Sequence, residues 1–388
     1  MSKELENLKE IKALLEQGIS LSFTESHVIV NDIPYLNEQG EQKWAKLAAG
    51  LHLLTPDSLG EPFNHQMYWS GTYPYFGDGT NIPVNKIEAN VDLAGTHFAI
   101  HLSNKPKFGG DKAFDNYFDL IDHYVGLISG PAAEKFGVTP YTGAKYNVPE
   151  EESAFKIADT FSAKAEITDL NKVVAEDRIA IIGLGGTGSF VLDFIAKTPV
   201  HSIDAYDFDG FEVHNAFRSP GGFDGDDFGN LKTSIYKKKY DTLRHRFEVH
   251  NKKVGKGDSA LFADTTFAFV CIDDGESRAE ICDMLIGLEI PFIDVGMGVE
   301  KEEGTLDGLI RTTVFHGESA EQARKEIPTD KRDGIGAYRT YVQISELNAL
   351  NAAIAVICYK KFRKFYCDEE AYFQNIISIG SSNWIGGV

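Results

Sequence analysis

Charged side chains of both signs follow a glycine-rich turn near the middle of this chain of 388 residues. Arg218 and Lys232 lie in predicted loops. Transfer of a phosphoryl or nucleotidyl group needs such cations, because negative charge builds up on the phosphorus oxygens and on the leaving pyrophosphate. Asp273 follows a predicted strand, where a carboxylate can hold Mg²⁺, and Arg278 comes one helical turn later. This set predicts chemistry on a nucleoside triphosphate, whereas hydride transfer has no need of it.

The turn itself reads G-L-G-G-T-G and follows the short apolar run Ile179–Ile182. Its glycines are Gly183, Gly185, Gly186 and Gly188. Glycine allows positive φ and lets backbone N–H groups approach a phosphate, and the N-terminus of the next helix adds partial positive charge. The same residues satisfy the dinucleotide fingerprint G-x-G-x-x-G. The turn therefore predicts a nucleotide site but does not identify which nucleotide binds there.

Two carboxylates come about 20 residues after the glycines, at the end of the predicted strand Ser202–Tyr206. Asp207 is the candidate for a hydrogen bond to a ribose hydroxyl, and Asp209 belongs to the same nucleotide-binding set. The alternative is a strand-end acid that only caps a turn.

Strands and helices alternate between residues 179 and 295, which predicts a Rossmann-like, doubly wound, mainly parallel sheet with right-handed crossovers. A domain over residues 151–388 would carry this sheet. Residues 1–150 predict a smaller α+β domain, to which we assign partner docking because it contains no arginine and no cysteine. A helix over Ala154–Val174 should lead into the glycine strand, and the Ser- and Gly-rich end Ser378–Val388 should be irregular.

Five motifs occur in order between residues 172 and 361. They read G-L-G-G-T-G-S, D-F-D-G-F-E-V-H-N-A-F-R, G-N-L-K, I-D-D-G-E-S-R and I-P-F-I-D-V-G-M-G. In type, order and spacing this stretch resembles the ubiquitin-activating-enzyme-like adenylyltransferases, also called the ThiF/MoeB type. Residues 1–150 resemble a bacterial domain that precedes such adenylyltransferase domains, through I-P-Y, N-H and S-N-K-P.

The resemblance implies a role for each candidate residue. Asp207 would bind the ribose of ATP, and Asp273 would position Mg²⁺. The phosphates would be contacted by Asn215, Arg218 and Lys232. The implied reaction is attack by the C-terminal carboxylate of a ubiquitin-like or sulfur-carrier protein on the α-phosphorus of ATP, which gives an acyl adenylate and pyrophosphate. The resemblance also implies a homodimer and a bacterial conjugation or defence pathway.

Family members that go on to form a thioester carry a cysteine in the crossover segment after the last sheet strand, but residues 304–340 contain none. Cys271, Cys282 and Cys358 lie in apolar surroundings that favour buried thiols, which leaves Cys367 as the cysteine in a polar setting. We therefore expect the chain to stop at the adenylate, which an external thiol carrier enzyme, sulfur donor or amine would take. The zinc-binding cysteine pairs of many members are also missing.

The composition excludes several classes of protein. A formal net charge of −20 would repel a phosphate backbone, so we expect no non-specific nucleic-acid binding. The longest apolar run, Ala349–Tyr359, is far shorter than the roughly 20 residues that a membrane span needs, which predicts a soluble protein. Four cysteines without a C-x-x-C pair predict a reducing, cytoplasmic compartment.

Two other functions are compatible with part of the pattern. An NAD-dependent oxidoreductase would explain the glycines and Asp207, but it leaves Arg218, Lys232 and Asp273 without a task. A non-catalytic nucleotide-binding scaffold would use the same fold to bind partners and would not turn ATP over.

Overall fold

The computed structural model describes residues 8–55, 58–105, 114–142, 146–147, 153–157, 159–165, 167–317, 319–325, 342–369, 373–381 and 383–387. The chain divides into two compact units, Met1–Leu170 and Asn171–Val388, where the sequence predicts a division at residue 150. Among the described residues, every helix is too short or too polar to span a lipid bilayer.

The first unit is built on a mostly antiparallel sheet. Its strands are β1 (Leu21–Phe23), β2 (His27–Leu36), β3 (Gln42–Gly50), β4 (Leu53–Thr55), β5 (Ser58–Leu59), β6 (Gln66–Trp69), β7 (Asn85–Leu93), β8 (Thr96–Ser103) and β9 (Tyr146–Asn147), and its helices are α1 (Lys9–Glu16), α2 (Tyr117–Phe136) and α3 (Thr160–Lys164). Seven strands form one sheet in the order β7-β8-β6-β3-β2-β1-β9, while β4 and β5 pair separately. Helices α1 and α2 cover the core on one face, which confirms an α+β unit.

Two tyrosines of α2 tie this helix to the strand ends. The hydroxyl of Tyr117 donates to the carbonyl oxygen of Gly50 at 2.5 Å, and that of Tyr124 donates to the carbonyl oxygen of His65 at 2.7 Å. Burial raises the pKa of both phenols, so both remain proton donors. The helix ends at Gly137, whose φ of 65° is the left-handed conformation that closes many helices.

The second unit contains an eight-stranded sheet. Its strands are β10 (Arg178–Ile182), β11 (Ser202–Asp207), β12 (Phe247–Asn251), β13 (Phe267–Val270), β14 (Phe292–Glu302), β15 (Thr305–Phe315), β16 (Gln374–Ser378) and β17 (Trp384–Gly387), and its α-helices are α4 (Gly186–Ala196), α5 (Val213–Ala216), α6 (Lys232–Tyr240), α7 (Gly275–Gly287), α8 (Ser319–Lys325) and α9 (Ser345–Phe362). The strand order is β12-β11-β10-β13-β14-β15-β16-β17. The strands from β12 to β14 are parallel, and the last three join antiparallel.

Helices cover both faces of this sheet. Helices α4, α6 and α9 bury their apolar residues on one face, whereas α7 and α8 do so on the other. The central strand β10 is accordingly buried from Ile179 to Ile182, as expected of a parallel strand covered on both sides. The predicted Rossmann-like, doubly wound sheet is confirmed.

Two predicted elements differ from the structure. Only Thr160–Lys164 is α-helical within the described part of the segment 154–174, and Ile157 and Phe161 are exposed there. Phe155 and Val174 are buried near the two ends, but Leu170 and Val173 are exposed as well, so the segment lacks the continuous buried apolar face that stabilises a longer helix. The predicted irregular end instead contributes β17, because Trp384 and Ile385 pair with Ile377 and Ile376 and these residue types favour strands.

Candidate nucleotide site

A cleft of about 510 Å³ opens in the second unit where the parallel strands end. Its lining includes the residues that follow β10, β11 and β13, which is the usual ligand position in doubly wound sheets. Six cationic and four acidic side chains line it: Arg218, Lys232, Lys252, Lys253, Arg278, Arg311, Asp207, Asp209, Asp273 and Asp274. In a chain whose formal net charge is −20, this local excess of cations is the arrangement expected of a site that binds an anion.

The glycine turn forms one wall of the cleft. Gly183, Gly185 and Gly186 line it, and Gly183 has a φ of 93°. A Cβ atom on Gly186 would lie 2.2 Å from Nδ2 of Asn348, and one on Gly188 would lie 1.9 Å from the carbonyl oxygen of Gly183. A Cβ on Gly185 would meet open space. Because α4 begins at Gly186, its first N–H groups have no acceptor within the helix and can serve a phosphate.

Arg218 lies in the cleft lining, against the start of α9. Its Nη1 donates to Oε1 of Gln343 at 2.6 Å, and its carbonyl oxygen accepts from Nδ2 of Asn348 at 3.3 Å. The same amide group of Asn348 accepts a hydrogen bond from Oγ1 of Thr187 at 3.1 Å, which joins this loop to the glycine turn. The Nε of Arg218 is buried without a hydrogen-bond partner among the described residues. An anion in the cleft would satisfy this donor, whose isolation otherwise costs free energy.

Lys232 lies between the two predicted ribose-site carboxylates. Its buried ammonium group is 2.8 Å from Oδ2 of Asp209 and 3.6 Å from Oδ1 of Asp207. Asp207 also accepts the backbone N–H groups of Leu184, at 2.7 Å, and of Asp209, at 2.8 Å. The carboxylate therefore links the glycine turn to the end of β11, and its remaining lone pairs are available to a hydroxyl donor.

Asp273 lines the cleft after β13 with an exposed side chain. Its neighbour Asp274 accepts the N–H of Ser277 at 2.9 Å, which lowers the pKa of Asp274 and caps α7. Within the described ranges, no three His, Cys, Asp or Glu side chains converge on a metal position. A magnesium ion in a nucleotide site needs only one or two carboxylates beside the phosphates, so Asp273 fits this kind of site.

Two arginines of the cleft lining, Arg278 and Arg311, share a buried carboxylate that the sequence pattern did not predict. Asp294 on β14 is fully buried, 3.3 Å from Nε of Arg278 and 2.6 Å from Nη2 of Arg311. Burial raises the pKa of Asp294, while the two guanidinium groups act in the opposite direction. The available signal was Arg311 itself, a charge inside the otherwise apolar or hydroxyl-bearing run L-I-R-T-T-V-F.

Asn215 is one of two predicted site residues that the cleft lining does not include. It is buried, and its Oδ1 accepts the N–H of Glu212 at 2.8 Å, which caps the short helix α5. Gly188 also lies behind the lining, where it packs against Gly183. The other predicted site residues are together in one cleft.

The four cysteines differ in surroundings. Burial raises the pKa of the Cys271 and Cys282 thiols, and it raises that of Cys358 to about 11. These three are poor nucleophiles near neutral pH. Cys367 is exposed.

Family models match both parts of the chain. Residues 162–375 match the ThiF family, and this match covers more than half of the sequence. The chain belongs to the ThiF family. Its predicted relation to the ThiF/MoeB-type adenylyltransferases is thereby confirmed. Residues 9–160 match a domain of unknown function, DUF6791. No curated protein matches this ThiF-family chain in sequence.

Solved structures with a similar fold cover between 53% and 59% of the chain. E. coli MccB with ATP is 16% identical, with a TM-score of 0.47 over 56% of this chain and 65% of that one. E. coli MccB with selenomethionine MccA is 15% identical, with a TM-score of 0.47 over 59% and 69%. E. coli tRNA N6-threonylcarbamoyladenosine dehydratase, TcdA, is 16% identical, with a TM-score of 0.41 over 53% and 92%.

Proposed function

We propose that this ThiF-family protein uses ATP to adenylate the C-terminal carboxylate of a ubiquitin-like or sulfur-carrier protein. One carboxylate oxygen attacks the α-phosphorus, and a new oxygen–phosphorus bond forms as the bond to the bridging oxygen breaks. The products are an acyl adenylate and pyrophosphate. The observation that carries the proposal is the cleft itself, which joins a glycine turn, the unsatisfied Nε donor of Arg218 and an exposed carboxylate at the ends of parallel strands.

Each wall of the cleft has a role in this reaction. The N–H groups at the start of α4 and the guanidinium of Arg218 would hold the phosphates, and Lys232 would neutralise charge as pyrophosphate leaves. Asp207 would accept a hydrogen bond from the ribose, with Asp209 holding Lys232 beside it. Asn215 would contact a phosphate only after the hydrogen bond that it accepts from the N–H of Glu212 opens. The chain's contribution is positioning and charge stabilisation.

Asp273 would hold Mg²⁺, and the bound ion would neutralise phosphate charge and favour departure of pyrophosphate. The chain itself supplies an oxygen ligand of the type that Mg²⁺ prefers. The backbone around Asp273 then determines the position of this carboxylate.

The adenylate would pass to an external acceptor, such as a thiol carrier enzyme, a sulfur donor or an amine. The absence of cysteine from residues 304–340 and the raised thiol pKa values of Cys271 and Cys358 support this part of the proposal. We further propose a homodimer, a cytoplasmic location and a bacterial conjugation or defence pathway, by analogy with the family. MccB has been crystallised with MccA, and we propose a small protein or peptide partner here too.

Exchange of labelled pyrophosphate into ATP tests the proposal. The acyl donor should be a small ubiquitin-fold protein ending in Gly-Gly, and its C-terminal amide is the control that lacks the nucleophile. Arg218→Ala and Asp273→Ala should each lower exchange about 10²-fold or more, since both act on developing charge. Asp264→Ala, at an exposed carboxylate outside the cleft lining, should leave exchange unchanged.

The same assay separates the competing functions. Exchange that persists with the C-terminal amide of the acyl donor, or that is unchanged in both Arg218→Ala and Asp273→Ala, would contradict the proposal. Tight NAD(H) binding without ATP binding would favour an oxidoreductase, and ATP binding without exchange for any carboxylate would favour a scaffold.

A further inference from the structure

We propose that Arg278 is a positioning residue for Asp273 and that the buried carboxylate of Asp294 holds Arg278 in place. This inference rests on the proposed function, which assigns Mg²⁺ to Asp273. It adds two residues, Arg278 and Asp294, that would not bind the metal themselves but would determine the position of its proposed ligand, Asp273.

Arg278 holds the peptide group that joins Ile272 to Asp273. Its Nε and Nη2 both donate to the carbonyl oxygen of Ile272, at 3.2 and 2.5 Å. The side chain of Asp273 is exposed, so its position depends on the backbone that carries it. A rigid two-pronged contact from a guanidinium is suited to fixing one carbonyl oxygen, because its donors lie in one plane.

Asp294 pairs with Arg278, and Arg311 in turn holds Asp294. Asp294 is fully buried, and its Oδ1 lies 3.3 Å from Nε of Arg278, an ion contact in which Oδ1 accepts no hydrogen bond from the described residues. Its Oδ2 lies 2.6 Å from Nη2 of Arg311, whose Nη1 donates to Oγ1 of Thr313 at 2.6 Å. The arrangement needs Gly296, where a Cβ would lie 2.9 Å from Nη2 of Arg311. Arg278 therefore has little freedom to turn toward another partner.

The local structure explains why the peptide needs this support. Cys271 makes the last ladder bond after β13, from its N–H to the carbonyl oxygen of Ile182 at 2.8 Å. Helix α7 then starts with its own cap, Asp274. The residues between these two anchors belong to no strand or helix, and they carry the proposed metal ligand. Arg278 supports this segment through its two hydrogen bonds to the carbonyl oxygen of Ile272.

Calorimetric titration of the full chain tests the inference without requiring an acyl donor. ATP is titrated in the presence of a chelator, and Mg²⁺ is then titrated into the ATP complex. Arg278→Met keeps most of the apolar stem and removes the donors. We expect about a tenfold loss of Mg²⁺ affinity, as for other residues that orient a metal ligand, with metal-free ATP affinity unchanged. Arg278→Lys should lose less, because it retains one charged donor.

Arg324→Met is the matched control. Arg324 donates to both oxygens of Asp283, at 2.6 and 3.2 Å, and lies outside the cleft lining, so its loss should leave both affinities unchanged. Circular dichroism verifies folding. If Arg278→Met does not fold, Asp294→Asn replaces it, because it loosens Arg278 without removing the guanidinium and should show the same selective loss.

Failure of the inference can be told from failure of the proposed function. Wild-type protein that binds no ATP, or whose ATP complex binds no Mg²⁺, removes the proposed function and the inference with it. If Asp273→Ala abolishes Mg²⁺ binding but Arg278→Met and Asp294→Asn bind Mg²⁺ like wild type, the inference alone is overturned. Equal loss of ATP affinity with and without Mg²⁺ also overturns it, because that result indicates direct phosphate binding.

Discussion

Gly185 lines the cleft, and a methyl group added there would meet no described atom within 4 Å, whereas one added at Gly188 would collide with the backbone of the same turn. We therefore expect Gly185→Ala to keep the wild-type melting temperature and to weaken ATP binding about tenfold, because the methyl group occupies space next to the helix N-terminus that a phosphate would use. Gly188→Ala should instead cost about 3 kcal/mol of unfolding free energy, since its Cβ would lie 1.9 Å from the carbonyl oxygen of Gly183.

Thermal unfolding and calorimetric ATP titration of the two variants check this pair, each serving as the control for the other. A Gly185→Ala protein with normal ATP affinity would show that phosphate does not approach this glycine. A fully stable Gly188→Ala protein would contradict the close packing described for the turn.

Residues that act through their own chemistry were the most predictable. Arg218 and Asp273 lie in loops and Lys232 lies at the start of a helix, all after predicted strands, so residue type and position alone indicated one site. Asn215 satisfied the same motif, but its side chain is used locally to cap a helix. Asn348 was missed because its importance lies in a contact with Gly186, a residue far away in the sequence.

Helix α9 is fixed at both ends to parts of the sheet that matter for the cleft. Near its start, Asn351 donates to the carbonyl oxygen of Gly296 at 3.1 Å. Near its end, Tyr359 and Arg363 donate to Oδ2 of buried Asp177, at 2.6 and 2.9 Å. Because Asp177 immediately precedes β10 and Gly296 belongs to β14, this helix couples the start of the glycine strand to a second interior strand of the sheet.

Arg363→Met should lower the unfolding free energy by about 2–3 kcal/mol, because it removes charged hydrogen bonds from a carboxylate that has little access to water. Urea unfolding measures the loss. Lys361→Met is the control on the same helix, since its 3.1 Å pair with Asp368 is partly exposed and should contribute less than about 1 kcal/mol. Equal urea midpoints for Arg363→Met and wild type would contradict the anchoring role.

Elements with a strong periodic pattern were predicted well, and those that depend on a partner were not. The alternation of buried strands and helices predicted the doubly wound sheet, because parallel strands must be apolar on both faces. Strand β17 has only four residues, and its order comes from pairing with β16, a contact that composition cannot reveal. The exposed Phe161 shows the converse case, because the apolar residues of the segment 154–174 are not buried together on one helical face.

The chemistry suggested by the described residues is concentrated in the second unit, which contains the cleft. The first unit has its own core and a small cavity of about 40 Å³, lined in part by His27, Tyr68 and His101. Such a cavity has room for a water molecule but not for a nucleotide. The assignment of the first unit to partner docking stays a prediction, and its buried histidines suggest a property of the unit that can be measured directly.

Acid should destabilise the first unit in the pH range where His27 differs between folded and unfolded states. Burial, with a contribution from His101, lowers the pKa of His27 to about 4 from 6.5. Between these values the unfolded chain binds a proton that the folded unit does not, so stability falls with decreasing pH by up to about 1.4 kcal/mol per pH unit.

Differential scanning calorimetry from pH 7 to 4 measures this slope. His27→Gln should flatten it, whereas His97→Gln, at an exposed histidine 2.9 Å from Asp92, should not. A His27→Gln protein with the wild-type slope would show that the protonation of other groups controls acid unfolding.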